Sequence, residues 1–300
     1  MKIIGVPMHL PYHAEEQAAS DLIKETLLKD ESCMICRFGS LELQVMVAYL
    51  NQTEVHGALQ KAMCLARMEP LNFNTVLKQR FRYQAGFFPA DDEHMSRFAK
   101  QMIDDSKLID IVGVWRSEQH RIAKFFPQAS NVPLGILEPY SFADPWSAAL
   151  KGKKVLMVHP FEDTIRKQYA KRELLFKDAN VLPEFELKTL KAVQSAADSK
   201  VDFATWFDAL KYMCDEMEKI DFDIALIGAG AYGFPLAAHV KRIGKKAVHM
   251  GGGSQLLFGI KGNRWDNIEF YRNLYNEHWT RASTEETPVN CGKVEGGTYW

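Results

Sequence analysis

Short apolar runs bounded by turn residues alternate along the chain with stretches in which apolar positions recur every three to four residues. The first pattern predicts strands buried on both faces, and the second predicts helices laid across them. Strands are expected at 33–37, 108–114, 132–137, 154–159, 185–190, 223–227 and 246–250. Helices are expected at 15–29, 41–50, 74–84, 91–105, 163–176 and 203–220, with a short one near 121–126. In the helix at 203–220, Phe203, Trp206, Phe207, Leu210, Met213 and Met217 form one core-facing stripe. A last helix rich in Tyr and Trp is expected after residue 267, followed by a loosely packed surface tail. Such alternation predicts an α/β fold, Rossmann-like, with a mostly parallel sheet flanked by helices. The 300 residues suit a single domain, or two lobes divided near 138–152, a stretch that could equally be a loop beside the site.

The stretch 221–262 reads strand, glycine turn, helix, strand, second glycine turn. Gly228, Gly230 and Gly233 give G-x-G-x-x-G spacing, in which the glycines permit the tight turn, backbone approach to a diphosphate and close helix packing. Amides at a helix start then face an anion. A nicotinamide site would also place Asp or Glu at the end of the next strand, but here that strand ends in His249, Met250 and Gly251. NAD is disfavoured on that ground, whereas a nucleotide or another phosphate ligand is not. Gly251, Gly252, Gly253 and Ser254 form the second turn, either a plain connection or a neighbour to the first that helps hold two phosphates.

Composition narrows the function classes. With 37 basic and 38 acidic side chains there is no global field to attract nucleic acid. The opening residues carry too short an apolar run for a secretory signal, and no run nears the ~18 residues of a membrane span, so a cytoplasmic location is expected. Five cysteines without regular spacing agree with a reducing compartment, and Cys33 and Cys36 are expected as buried thiols on opposite faces of a strand.

Ligands of open α/β sheets gather beyond the carboxyl ends of the strands. One such end carries Arg37 and Glu42, where the guanidinium suits phosphate oxygens and the acid suits a metal or a proton. Another carries His159, Glu162 and Asp163; His159 is a candidate base or donor, Glu162 is free for a ligand, and Asp163 is expected to cap the following helix. That helix is basic through Arg166, Lys167, Lys171, Arg172 and Lys177, which gives either a solvated face or a peripheral contact with anionic lipid. Lys261 and Arg264 follow the second glycine turn and could close over a diphosphate. Glu138, Tyr140, Asp144 and Trp146 have the makeup of a sugar-binding loop.

RFGSLEL at 37–43, KVLMVHPFEDTI at 154–165, and DIALIGAGAYG with GGGSQLLFGIKGNRW together resemble the GT-D type glycosyltransferases of bacterial surface-polysaccharide synthesis. The resemblance covers roughly residues 33–265, with an unmatched middle. It implies transfer of a sugar from a nucleoside diphosphate sugar, a uridine diphosphate sugar being favoured, to a hydroxyl of a glycan or lipid-linked acceptor. In the family the first motif reads R-F-G-D-G-E, and its acids are associated with a divalent metal and the nucleotide sugar. Arg37, Phe38, Gly39 and Glu42 match; Ser40 replaces the first acid and Leu41 the second glycine. A hydroxyl brings no charge to a hard cation. Mn²⁺ or Mg²⁺ held by Glu42, or neutralisation by Arg37, Arg264 and backbone amides, are therefore the alternatives. Glu42, His159 or Glu162 would deprotonate the acceptor in an inverting reaction. A nucleotide-dependent oxidoreductase and a non-catalytic nucleotide-sugar-binding protein are the rival readings.

Overall fold

The computed structural model describes residues 10–197, 199–294 and 296–300. In chain order its main elements are α1 (Glu16–Leu28), β1 (Cys33–Arg37), α2 (Ser40–Glu54), α3 (Ala58–Ala66), α4 (Thr75–Ala85), α5 (Asp92–Ser106), β2 (Ile111–Val114), α6 (Gln119–Ile122) and β3 (Ser130–Pro133). They continue with β4 (Lys154–His159), α7 (Glu162–Tyr169), β5 (Glu186–Lys191), α8 (Trp206–Glu218), β6 (Ile224–Ile227), α9 (Gly233–Arg242) and β7 (Lys246–His249). Every strand pairing is parallel, in the order β3-β2-β1-β7-β6-β4-β5. The sheet runs unbroken across the 138–152 segment, because β1 pairs with β7 through Met34 opposite Ala247.

Alternation along each central strand builds two cores. Met34 and Cys36, Leu156 and Val158, and Ala225 and Ile227 enter the layer with α2, α4, α5, α8 and α9. Cys33 and Ile35, Val155 and Met157, and Ile224 and Leu226 enter the layer with α1, α7 and the C-terminal segment. The two neighbouring thiols thus lie on opposite faces, and burial pushes Cys33 up to about 11 and Cys36 well above the usual thiol range. Local chemistry sets the helix ends: Asn74 and Asp91 accept the Leu77 and His94 amides at 2.9 Å, and Thr205 and Asp208 cap α8 reciprocally.

Five expectations from the sequence change. The strand expected at 132–137 is β3 at Ser130–Pro133, and Leu134–Leu137 turn as a 3₁₀ helix. The stretch 55–70, which carries no predicted element, forms α3. The helix expected at 163–176 stops at Tyr169 and continues as a short turn. Residues 138–152 fold as short 3₁₀ turns against α1 rather than as a sugar-binding loop: Trp146 is fully buried with its indole N–H donating to the Ile136 carbonyl, and Asp144 pairs with Lys24 at the surface. The tail stays on the surface, with Val289 fully exposed, but is anchored at points: Trp279 donates to the Leu175 carbonyl and Glu286 is only 3 % exposed. Among the described residues no helix is long and apolar enough to cross a membrane.

Candidate functional site

The carboxyl ends of β1, β7, β6 and β4, four adjacent strands, open into one cleft of about 1170 Å³ of empty space including its mouth. Its floor is the pair of glycine turns. Gly230 and Gly251 have φ of 53° and 63°, backbone that side chains rarely adopt, and around Gly230 a Cβ would meet nothing within 4 Å, leaving that turn open to a ligand. A Cβ on Gly228 would stand 3.0 Å from the Gly251 carbonyl and 2.6 Å from the His159 ring, so the two turns are in direct contact. Ser254 fastens them: its hydroxyl donates to the Gly251 carbonyl at 2.7 Å and lies where a Gly228 side chain would be.

Arg37 leaves β1 with its guanidinium against the second turn, its Nη1 2.8 Å from a Cβ position on Gly251 and its Cζ 5.0 Å from the centre of the Trp115 ring. Burial draws its pKa down, while Glu42, Tyr299 and Glu138 hold it up and Arg264 opposes them. Arg264 stands at the rim, 5.0 Å over Tyr299. Glu42 begins α2 and folds its carboxylate over Gly39, where any side chain would overlap it. Gly39, Ser40 and Glu42 all line the cleft, and Glu42 brings the only side-chain carboxylate among the described lining residues.

Two buried histidines complete the wall. The Phe161 backbone N–H donates to His159 Nδ1 at 2.9 Å, so the neutral ring carries its proton on Nε2. Burial lowers His159 to about 3, and it lowers His249, with the nearby Arg37, to about 3 as well. His159 therefore sits in the cleft as a neutral hydrogen-bond donor rather than as a base. His249 Nδ1 faces the Ile227 carbonyl at 3.3 Å, and its ring occupies the space beside Gly233. Gly233 is thus a packing glycine, outside the cleft lining.

Three other expected contributors stand elsewhere. Glu162 accepts from Arg166 at 2.6 Å and from Thr189 at 2.7 Å, away from the cleft, because its position at the start of α7 turns it along the sheet edge. Asp163 does not cap that helix: its own amide and that of Thr164 donate to Glu286 of the tail, at 2.7 and 3.2 Å. Lys261 lies over Tyr275 in a separate depression. Gly252 lines the cleft beneath Tyr299, whereas Gly253 backs onto Glu138, whose carboxyl is raised by burial and accepts from Tyr271 at 2.8 Å.

Sequence reasoning missed the aromatic rim and the tail. Trp115, Tyr299 and Trp300 line the cleft. Gln255, fully buried, donates to the Tyr299 carbonyl at 3.0 Å, and Arg281 donates to the Trp300 carbonyl at 2.9 Å, which seats the tail there. No local pattern signals this, since the pairing partners lie tens of residues apart. Arg37 Nε, Gln84 Oε1, Gln255 Oε1 and Trp300 Nε1 are buried, belong to lining residues and make no hydrogen bond within the protein. Buried polar atoms are rarely left so, and these four are groups that a polar ligand in the cleft would satisfy.

The donors do not fit a protein-held divalent cation. Among the described residues no three His, Cys, Asp or Glu side chains gather to hold a metal, and Glu42 is accompanied by a hydroxyl and two guanidinium groups.

No known family and no curated protein matches the chain in sequence. Two solved structures resemble it over 91 % of this chain and 91 % of each of theirs. One is a selenomethionine-substituted structure of domain of unknown function 1792, with 13 % identity and a TM-score of 0.45. The other, described as the highly conserved domain of unknown function 1792 with a distinct glycosyltransferase fold, has 14 % identity and a TM-score of 0.44. This domain is the group that the sequence motifs resemble.

Proposed function

We propose that the chain is a glycosyltransferase that moves a sugar from a nucleoside diphosphate sugar, uridine diphosphate favoured, to a hydroxyl of a bacterial surface glycan or of its lipid-linked precursor. The observation that carries this reading is the contact between two glycine turns, the first open at Gly230 and the second lying against the Arg37 guanidinium, with Arg264 at the rim. Backbone amides and guanidinium groups stabilise the charge that develops on a departing diphosphate, which is where glycosyl transfer needs help. His159 Nε2–H adds a neutral donor to that wall. Trp115, Tyr299 and Trp300 add aromatic surface to the same lining. Glu42, as the carboxylate in the cleft, takes the acceptor proton if the reaction inverts the anomeric centre.

Two cations in the cleft support charge neutralisation by the protein in place of Mn²⁺ or Mg²⁺. The test is a panel of nucleotide sugars scored for thermal stabilisation and for nucleoside diphosphate release, with Mn²⁺ and with chelator. Stabilisation by one donor, and release that chelator leaves unchanged, is expected; tight NADH binding with no response to any nucleotide sugar would overturn the reading.

A further inference from the structure

Helix α3 is mounted the wrong way round for a helix of a globular domain. At ~100° per residue, Leu59, Ala62, Leu65 and Ala66 share one face, and Cys64 lies opposite. Cys64 alone among the nine side chains is buried, with its thiol 3.7 Å from Asn51 Oδ1. The apolar face therefore points to solvent: Leu59 is 76 % exposed, Leu65 61 % and Met63 48 %, and beyond the helix end Met68 is 92 % exposed. Val76, at the start of α4, is 64 % exposed as well. An isolated exposed leucine means nothing, but a helix that turns its whole apolar stripe outward marks a contact surface.

Charge says what that contact is. Residues 55–85 carry five Lys or Arg and a single acid, Glu69, in a chain whose net charge is −1. Glu69 is buried, 3.5 Å from Arg121, so the exposed charge of this segment is positive throughout, with Lys61, Arg67 and Arg80 on the surface. Two copies meeting about a two-fold axis would bring Lys61, Arg67 and Arg80 together with few acids to answer them, since Glu69 is buried and the nearby Asp92 and Glu54 already pair with Lys78 and Lys124. Apolar side chains ringed by cations instead match an anionic lipid surface, where leucine and methionine enter the interface and Lys and Arg stay at the phosphates. The basic stretch after β4 lacks this combination, because Arg166 of α7 is paired with Glu162 and Asp163, and Arg172 in the turn beyond it with Glu173.

We infer that α3 and the start of α4 form a docking surface for anionic lipid headgroups. Along α4, Val76 and Gln84 are separated by ~12 Å, and Gln84 lines the cleft, so docking holds the cleft rim close to the bilayer. The inference does not rest on sugar transfer, and its readout is independent of activity.

The test is co-sedimentation of the full chain with vesicles of phosphatidylcholine alone and with about one quarter phosphatidylglycerol. Binding to the anionic vesicles only, weakened by salt, is expected. The double variant Leu59→Glu with Leu65→Glu should lose about tenfold in partitioning while keeping its circular dichroism and melting temperature, since both side chains are exposed. No binding to anionic vesicles, or binding that the double variant retains, overturns the inference. So does a dimer in light scattering that the double variant dissolves, which would make a second copy the occupant.

Discussion

His159 shows how one backbone hydrogen bond decides what a side chain can do. Its place at a strand end was legible from the sequence, but whether it takes or gives a proton was not, because that depends on the Phe161 amide two residues on. With Nδ1 engaged and burial holding the ring neutral, His159 is suited to donate rather than to accept, which leaves Glu42 as the base in the proposed transfer. Glu42→Gln keeps size and the position over Gly39 but removes the proton acceptor. Turnover should fall by about two orders of magnitude or more, with the melting temperature nearly unchanged. Full turnover in the variant would remove Glu42 from the chemistry. Glu162 was misplaced because its neighbours in sequence, His159 and Phe161, do line the cleft, while one further residue carries the chain onto α7 and around to Thr189.

At the level of elements, strands were the most legible part. Runs such as VLMVH leave no ambiguity when both faces of the sheet are covered, and β1 and β4 begin and end where the pattern puts them. Helix α3 escaped because its apolar side chains do not serve the core, so an inward stripe was the wrong thing to look for. The start of α7 escaped for a different reason: its cap comes from Glu286, over a hundred residues away, rather than from the adjacent Asp163. Glu286→Ala strips the carboxylate from two helix amides and the Thr164 hydroxyl together. A loss of about 1–2 kcal/mol in urea unfolding is expected, and a midpoint equal to that of the parent would show that the tail does not hold α7.

For the molecule as a whole, both cleft histidines connect the site to acid stability. In the unfolded chain each takes its proton near 6.5, whereas in the fold each waits until about 3. Between those values the unfolded state binds more protons, so stability rises with pH through this window and is lost as pH falls from about 6.5 toward 3. The slope is at most ~1.4 kcal/mol per pH unit for each ring. Urea midpoints at pH 7, 6 and 5 should decline in step, and two of the nine histidine ring resonances should not titrate between pH 8 and 5. Rings that titrate near 6.5 in the fold would refute their burial. The existence of a parallel sheet was readable from alternating elements, but its strand order was not, since β1 pairs with β7 and β4 with β5 through contacts that no local pattern encodes.

The pairing of the first strand with the last has a consequence during synthesis. β1 leaves the ribosome about 210 residues before the β7 segment that covers its flank, an interval on the order of 10 to 40 s at elongation rates of about 5–20 residues per second. Throughout that time one edge of β1 is bare, its backbone N–H and C=O groups unpaired, and the second glycine turn of the proposed diphosphate site does not yet exist. Nascent chains arrested before residue 246 should therefore depend on chaperones for solubility and be blind to nucleotide, and both properties should change together once β7 emerges.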